Sequence, residues 1–209
     1  MSPNKAIKPT KPGATHVTGP GGLDAAAFAR WYRDRAIEQW DGLDVEGVAR
    51  LAAWILSARE KGRQVFVMGN GGSAATASHI ATDLSKTAHV RGRKPVKCLS
   101  LADNAAYITA IGNDLSFDDI FSRQLENVLA EGDVVLLISG SGNSPNLLKA
   151  AALAKARGAK TAALLGFDGG KLKGKVDLAL LVSSDQYGVI EDLHMSIGHI
   201  LTFYLKQRE

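Results

Sequence analysis

The feature of this chain that most limits its fold is a regular alternation of short apolar runs with longer helical patterns, beginning at Val65. Five apolar runs of strand length lie at residues 65–68, 96–99, 134–138, 161–165 and 178–182. Helical patterns follow them near residues 73–86, 104–112, 117–129, 144–157 and 189–206. Strands that are apolar on both faces occur in parallel sheets covered by helices on both sides. The alternation therefore predicts an α/β fold with a five-stranded parallel sheet.

Two further helical patterns precede the first strand. One, near residues 25–40, follows Asp24, a good N-cap residue, and its aromatic residues are Phe28, Trp31, Tyr32 and Trp40. The other, near residues 44–62, begins at Asp44, and its apolar face consists of Val48, Leu51, Ala52 and Ile55. The aromatic residues of the first helix are expected to pack either against another subunit or against their own domain.

The first 22 residues differ in composition from the rest of the 209-residue chain. They contain three lysines, four prolines and several glycines, but no Asp or Glu. Such a composition predicts a flexible tail over residues 1–22 and a single domain over residues 23–209. The three lysines account for most of the net charge of +4. Because the rest of the chain shows no basic stripe interleaved with aromatic residues, a nucleic-acid partner is not expected.

Two observations bear on the compartment of the protein. No run approaches the roughly 18 uninterrupted apolar residues of a membrane helix, and no apolar block follows the N-terminal lysines, as a secretory signal requires. The single cysteine, Cys98, rules out an internal disulfide and lies in a predicted strand, where a buried thiol is expected. These features predict a cytoplasmic protein with no membrane partner.

The first of two glycine-rich loops, residues 69–73 (Gly-Asn-Gly-Gly-Ser), follows the first predicted strand and opens a helix. Glycines at such a place let backbone amides approach an anion at the helix N-terminus. The spacing formally matches the dinucleotide fingerprint, which requires an acid about 20 residues further on. Here Asp103 comes about 30 residues after Ala74. The loop is therefore either an anion site of another kind or only a tight strand-to-helix turn.

The second glycine-rich loop, residues 139–145 (Ser-Gly-Ser-Gly-Asn-Ser-Pro), follows the third predicted strand. Ser144 is a good N-cap residue and Pro145 suits the first helical position, so the loop ends at a helix N-terminus, where negative charge is favoured. Ser139, Ser141 and Ser144 add neutral hydroxyl donors. No lysine stands where a nucleotide-triphosphate loop requires one, so the pattern predicts a sugar monophosphate site. A capped turn alone would explain Ser144 and Pro145, but not the other serines and glycines.

Two predicted helices carry polar residues on a shared face. His79 and Asp83 are four residues apart, and Glu191 and His199 are eight apart, so each pair lies on one side of its helix. A histidine on a helix is commonly a structural hydrogen-bonding residue. Two histidines and two carboxylates at helical spacing also suit an acid–base site or a metal site. The spacing leaves these interpretations open.

Taken with these loops and helices, the sequence resembles the phosphoheptose isomerase branch of the sugar isomerase (SIS) domain family. The resemblance covers nearly the whole chain after the tail. The segments that carry it are residues 69–73, 110–114, 121–124, 139–144 and 166–170, and the helix that bears Glu191 and His199.

The resemblance implies a fold and a binding site. The family has a flavodoxin-like parallel sheet flanked by helices, and its members form homotetramers with active sites at subunit interfaces. The serine-rich loop of the family binds the phosphate of the substrate, a role that falls here to Ser139, Ser141 and Ser144. The other residues implied to bind the sugar are Asn70, Gly71, Gly72, Ser73, Asp103 and Glu191.

The resemblance also implies an activity. The family converts sedoheptulose 7-phosphate to D-glycero-D-manno-heptose 7-phosphate, which requires a proton transfer through an enediol. Asp83 is expected to remove the carbon-bound proton, with His199 as its acid–base partner. The family commonly holds a zinc ion with His, Glu, Gln and His, and the positions implied here are His79, Asp83, Glu191 and His199.

Four positions depart from the family pattern. Asp83 replaces Glu and Glu191 replaces Gln, while Gly140 replaces a Thr of the phosphate loop and Gly188 replaces an Asp near the start of the last helix. These changes bear on substrate identity. Two alternatives to an isomerase remain: a catalytically silent relative, such as a replication-initiation regulator similar to this branch, and a sugar-phosphate sensor. The silent relative lacks equivalents of Asp83 and His199, so their presence favours an enzyme.

Overall fold

The computed structural model describes residues 19–208, so the predicted tail over residues 1–22 lies almost wholly outside the described residues. The strands of its sheet are β1 (Gln64–Gly69), β2 (Lys97–Ser100), β3 (Val134–Ser139), β4 (Lys160–Gly166) and β5 (Leu178–Val182). Every neighbouring pair is parallel, in the order β2-β1-β3-β4-β5. This is the order of flavodoxin-like doubly wound sheets, and the predicted fold class is confirmed.

Helices cover both faces of the sheet. The α-helices of the described residues are α1 (Ala25–Asp41), α2 (Val45–Glu60), α3 (Gly72–Thr82), α4 (Ala105–Asp114), α5 (Ser122–Val128), α6 (Pro145–Ala156) and α7 (Tyr187–Gln207). Apolar side chains of α2, α3 and α7 cover one face, and those of α4, α5 and α6 cover the other. None of the helices in residues 19–208 is long and apolar enough to cross a membrane.

The two-sided burial explains why the central strands β1 and β3 are almost wholly apolar. In β1, Val65 and Val67 belong to the core beneath α2, α3 and α7, whereas Phe66 and Met68 belong to the core on the opposite face. Alternate residues of a strand point to opposite faces, so a sheet covered on both sides requires apolar residues at every position. Cys98 in β2 is buried as predicted, and this burial raises the pKa of its thiol above the usual value.

The two N-terminal helices start where the sequence predicts. Asp24 accepts a hydrogen bond from the backbone N–H of Ala27 (2.7 Å), and Asp44 accepts one from that of Gly47 (2.8 Å). Helix α2 packs its predicted apolar face into the core, but α1 has no buried residue. Tyr32 of α1 packs against a small apolar cluster that includes the start of α7, while the aromatic side chains of Phe28 and Trp40 are exposed.

Two predicted helices are not continuous. The pattern over residues 73–86 forms α3, which ends at Thr82 and continues as a π-helical turn over Asp83–Thr87. The pattern over residues 117–129 forms a 3₁₀ turn, Phe117–Asp119, followed by α5. Hydrophobic periodicity does not distinguish these helix types over so few residues. The π turn matters for function because it begins at Asp83.

The sheet topology brings the two glycine-rich loops together. Strands β1 and β3 are neighbours, with Gly69 paired to Ile138, so the loops that follow them start side by side. The chain after β1 enters α3 on one face, and the chain after β3 enters α6 on the other. Such a switch point leaves a crevice outside the carboxyl ends of the strands, where doubly wound proteins bind their ligands.

Candidate active site

The serine loop, residues 139–144, presents hydroxyl groups at the start of α6. Ser139 Oγ accepts a hydrogen bond from the backbone N–H of Gly142 (3.0 Å), and Ser141 Oγ accepts one from that of Asn143 (3.3 Å). A hydroxyl that accepts a bond keeps its own proton, so both side chains can donate to an anion. Ser144 occupies the predicted N-cap position, but its side chain makes no capping bond within the described residues. Ser144 lines the space between the two loops, at a helix N-terminus of the kind that favours an anion.

The segment after β4 fixes the course of the serine loop. Gly142 has a φ of 62°, and a Cβ at this residue would lie 2.0 Å from the carbonyl oxygen of Gly169. Only glycine fits so close to another backbone in this conformation. The backbone N–H of Leu172 donates to the carbonyl oxygen of Gly142 (3.0 Å). The glycine-rich motif at residues 166–170 thus supports the serine loop from behind.

The glycine loop, residues 69–73, requires glycine for two reasons. A Cβ at Gly69 would lie 2.6 Å from the carbonyl oxygen of Ser73, so glycine allows α3 to begin close to β1. Gly71 has a φ of 58° and occupies the N-cap position of α3. The loop therefore turns sharply into the helix, and the side chain of Ser73 is buried in the first turn.

A pair of amides joins the glycine loop to α6. Asn70 Nδ2 donates to Asn146 Oδ1 (2.9 Å), and Asn146 Nδ2 donates to Asn70 Oδ1 (3.0 Å). Asn146, the second residue of α6, is buried, so its end of the amide pair is shielded from water. It was not among the predicted site residues, and its only sequence signal is a polar residue at the start of a helix. The pair holds the two loops at a fixed separation.

A cavity of about 140 Å³ opens between the two loops. The predicted sugar-site residues that line it are Asn70, Ser73, Ser139, Ser141, Ser144 and Glu191. Tyr187, the first residue of α7, also lines it and was not predicted. Glu191 stands over the start of α3, because a Cβ at Gly72 would lie 2.5 Å from its Oε1. Burial, and then the charge of Glu191, raise the pKa of Tyr187 above its usual value.

A second group, the imidazole–carboxylate group, consists of His79, Asp83 and His199. The Nε2 atoms of the two histidines are 3.2 Å apart, and Asp83 Oδ2 lies 3.3 Å from that of His79 and 3.9 Å from that of His199. At 3.2 Å, only one of the two Nε2 atoms can carry the proton between them. The side chains of His79 and His199 are 48% and 43% exposed, against 18% for Asp83. The group is accessible to a substrate on its imidazole side.

The π turn orients the carboxylate of this group. Thr87 Oγ1 donates to Asp83 Oδ1 (2.9 Å), which leaves Oδ2 facing the two imidazoles. The widened turn also lets the backbone N–H of Ala88 donate to the carbonyl oxygen of Asp83 (2.8 Å). Single π turns inside helices are frequently found at functional sites. Thr87 was not predicted, although its four-residue spacing from Asp83 is visible in the sequence.

Asp103 lies beside the imidazole–carboxylate group and not in the cavity. It is exposed at the end of the segment that follows β2, and its carboxylate accepts a hydrogen bond from Ser78 Oγ. Ser78 precedes His79 on α3 and also lies 3.3 Å from Ser100 Oγ. Of the residues predicted to bind sugar, Asp103 is therefore the one that the described chain holds apart from the others.

The four predicted metal ligands are brought together only in part. His79, Asp83 and His199 offer ligand atoms that all lie within 4.8 Å of one another, and Glu191 is not part of this group. Two turns of α7 separate Glu191 from His199, a rise of about 12 Å. The polar residues thus form two neighbouring sites, the cavity at the serine loop and the imidazole–carboxylate group. Residues of α3 and α7 contribute to both sites.

Comparison with known proteins identifies the family of this chain. The SIS domain family matches residues 32–166. A phosphoheptose isomerase of Pelobacter propionicus is 44% identical over 154 residues, which are 74% of this chain and 81% of the relative. A probable phosphoheptose isomerase of Thermoplasma acidophilum is 39% identical over 181 residues, 86% of this chain and 98% of the relative.

Solved structures give the same result. A phosphoheptose isomerase from Francisella tularensis superposes with a TM-score of 0.81 at 32% identity, covering 88% of this chain and 96% of that one. One from Neisseria gonorrhoeae gives a TM-score of 0.79 at 31% identity, with 88% and 97% covered. Since the family match, the sequence relatives and the solved structures all point to the same family, this chain belongs to the SIS domain family, in its phosphoheptose isomerase branch.

Proposed function

We propose that this protein is an isomerase that converts sedoheptulose 7-phosphate to D-glycero-D-manno-heptose 7-phosphate. The observation that supports the proposal is that the cavity and the imidazole–carboxylate group lie along the same pair of helices, α3 and α7. Ser73 and His79 are six residues apart on α3, and Glu191 and His199 are eight apart on α7. These spacings correspond to rises of about 9 and 12 Å. An extended sugar of several carbons spans such a distance, with its phosphate at one end and its reacting carbons at the other.

The serine loop and the start of α6 would hold the phosphate. Ser139, Ser141 and Ser144 offer hydroxyl donors, and the amides at the helix N-terminus favour negative charge. Among residues 19–208, no Lys or Arg lines this cavity, so its selectivity for phosphate would come from directed donors. Asn70, fixed by its amide pair with Asn146, and Ser73 border the same cavity and would contact the sugar next to the phosphate.

Proton transfer is assigned to the imidazole–carboxylate group. Asp83 would remove a proton from C1 of the open-chain ketose while the carbonyl oxygen on C2 gains one, which forms an enediol. Return of a proton to C2 and loss of the hydroxyl proton on C1 then yield the aldose. His199 is assigned the transfers at oxygen, since its Nε2 lies 3.9 Å from Asp83 Oδ2 and its side chain is accessible. Thr87 would keep the Asp83 carboxylate oriented throughout.

The same group has the donors of a metal site. Two imidazole nitrogens and a carboxylate oxygen within 4.8 Å of one another suit Zn²⁺, and three protein ligands with an open position are typical of catalytic zinc. We propose that His79, Asp83 and His199 would hold the ion. Because a nitrogen that binds zinc cannot transfer a proton, the transfers at oxygen assigned to His199 Nε2 apply to the protein without the ion. Bound zinc would polarise the carbonyl oxygen of the substrate. Glu191, the fourth expected ligand, lines the cavity, so its role as a ligand remains a prediction.

The proposal extends to assembly and location. The exposed aromatic residues of α1 suit a subunit interface, and with the resemblance to the family they support a homotetramer. A cytoplasmic location follows from the expected sugar-phosphate substrate. A silent relative or a simple sensor would not need an acid and two imidazoles held in contact, so the imidazole–carboxylate group favours the enzyme.

The test is a direct assay of the purified full chain with sedoheptulose 7-phosphate in deuterium oxide. Product identity and deuterium at C2 of the aldose are followed by NMR. We expect conversion with solvent deuterium at the transferred position, because an enediol exchanges protons with the catalytic groups. Shorter ketose phosphates serve as controls for chain length. An absence of conversion and of exchange in the folded protein, with and without added zinc, would contradict the proposal.

A further inference from the structure

One wall of the phosphate cavity comes from an unexpected part of the chain. At Gly140, where the family pattern has Thr, a Cβ would lie 2.8 Å from Cε1 and 3.2 Å from Cδ1 of Tyr187. The Tyr187 ring therefore occupies the space that a side chain at residue 140 would need. Since Tyr187 also lines the cavity, a broad planar side chain from α7 takes the place of a small one from the serine loop.

The ring of Tyr187 is held by a second aromatic residue. Phe167 packs edge-on against it, with ring centroids 4.9 Å apart and an interplanar angle of 72°. Among residues 19–208, Phe167 is the one non-glycine residue with a positive φ, at 52°. Such a backbone persists only where the surroundings enforce it, and it occurs mainly at ligand-binding and active sites. The turn after β4 directs the Phe167 ring at Tyr187, so a second aromatic ring supports the cavity wall.

The first turn of α7, which carries Tyr187, is also held by an aromatic residue. At Gly188, where the family pattern has Asp, a Cβ would lie 2.6 Å from Tyr32 Oη. Tyr32 Oη fills that space and donates to Asp192 Oδ2 (2.7 Å). Burial, and then this hydrogen bond, raise the pKa of Tyr32, so the phenol stays protonated as a donor. Helix α1 thus fixes the first turn of α7, and two departures from the family pattern each make room for a tyrosine.

We propose that Tyr187 determines the specificity of the sugar-phosphate site by admitting open-chain sugar phosphates and excluding their ring forms. The inference rests on the proposed function, because it assumes that the serine loop holds the phosphate. A cavity of about 140 Å³ with an aromatic wall has room for a phosphate followed by a slender carbon chain. The C–H groups of such a chain can pack on the ring, whereas we expect a pyranose next to the phosphate to be too broad for the space beside the ring. Selection of the open chain suits a reaction that needs a free carbonyl group.

Binding measurements test the proposal without turnover. Isothermal titration of the full chain uses sorbitol 6-phosphate as the open-chain probe, glucose 6-phosphate as the ring-form probe, and inorganic phosphate as the control. We expect the wild type to bind the open-chain probe at least about tenfold more tightly than the ring-form probe, as steric discrimination in a fixed pocket allows. Tyr187→Phe keeps the ring and should keep this ratio. Tyr187→Ala should reduce the ratio to less than about threefold, and titration of each protein with inorganic phosphate separates a change at the phosphate from a change at the sugar.

A double-mutant cycle checks the steric link to the serine loop. Gly140→Thr alone should weaken phosphate binding, because the new side chain meets the ring. In a Tyr187→Ala background the same substitution should have little effect, so the two changes are not additive. Circular dichroism and solution mass must match the wild type. A Tyr187→Ala protein that is folded and keeps the wild-type ratio, or additive effects in the cycle, would overturn the proposal.

The outcomes separate this inference from the proposed isomerase activity. Discrimination between the two probes without conversion of sedoheptulose 7-phosphate would support the role of Tyr187 and count against the isomerase. Conversion of that substrate together with equal binding of the two probes by the wild type would leave the isomerase standing and refute the role of Tyr187.

Discussion

Helix α7 contains a buried histidine whose protonation should control stability. His194 is fully buried, and in the sequence it lies between the predicted site residues Glu191 and His199. Neither of its ring nitrogens has a hydrogen-bond partner of normal geometry among the described residues. Burial lowers the pKa of His194 from 6.5 to about 4, and the nearby Leu165 backbone opposes this shift only in part. A neutral ring is therefore favoured in the folded protein, while the unfolded chain takes up a proton near the usual pKa.

The size of the effect follows from these two values. A group whose pKa is lower in the folded state contributes stability that is complete above its unfolded pKa and is lost as the pH falls toward its folded pKa. A difference between 6.5 and about 4 corresponds to about 3 kcal/mol in all. When the pH falls from about 7.5 to about 5, the free energy of unfolding decreases by about 2 kcal/mol through this histidine.

The assay is urea unfolding at a fixed protein concentration, followed by circular dichroism, for the wild type and His194→Leu. Other titrating groups contribute equally to both proteins, so the difference between them isolates the histidine. As the pH falls over this range, we expect the free energy of unfolding of the wild type to decrease by about 2 kcal/mol more than that of the variant. The leucine has a similar volume and removes a polar group that lacks partners, so the variant should fold. Identical pH dependence in both proteins, or an NMR titration with His194 charged near its usual pKa, would refute the reasoning.

The remaining predictions concern the proposed site. Asp83→Asn and His199→Ala should each lower turnover by about 10²–10⁴-fold with unchanged circular dichroism, as expected for a general acid or base; a folded Asp83→Asn protein with wild-type turnover would remove Asp83 as the base. Ser141→Ala should mainly raise KM, because it removes one phosphate donor and leaves the proton-transfer groups in place; a fall in kcat alone would argue against phosphate binding. Elemental analysis of protein purified without chelator should find about one zinc per subunit, and His79→Ala should reduce it; metal-free active protein would contradict the zinc site. Light scattering at micromolar concentration should give the mass of a tetramer, and a monomer mass would exclude it.

Local sequence patterns determined the fold of this protein. The five apolar runs became five parallel strands, because burial on both faces leaves few polar positions in the central strands of the sheet. The N-caps at Asp24 and Asp44 could be predicted because a cap depends on residues only three positions away. The serine loop was recognisable for the same reason, since Ser144 and Pro145 mark a helix start within the loop itself. The resemblance to the family then pointed to His79, Asp83 and His199, which the structure brings into contact.

Only the tertiary structure decided which side chains share a cavity. Tyr187 fills the space left at Gly140, although the two residues are far apart in the sequence and neither has a pattern that marks the other. Asn146 and Thr87 became visible as positioning residues only through their hydrogen bonds to Asn70 and Asp83. Glu191, expected beside the histidines, lies at the cavity because its place depends on how the start of α7 packs over α3. Periodicity assigns a residue to a face of its own helix or strand, whereas the neighbours that it meets across the crevice depend on the packing of the whole domain.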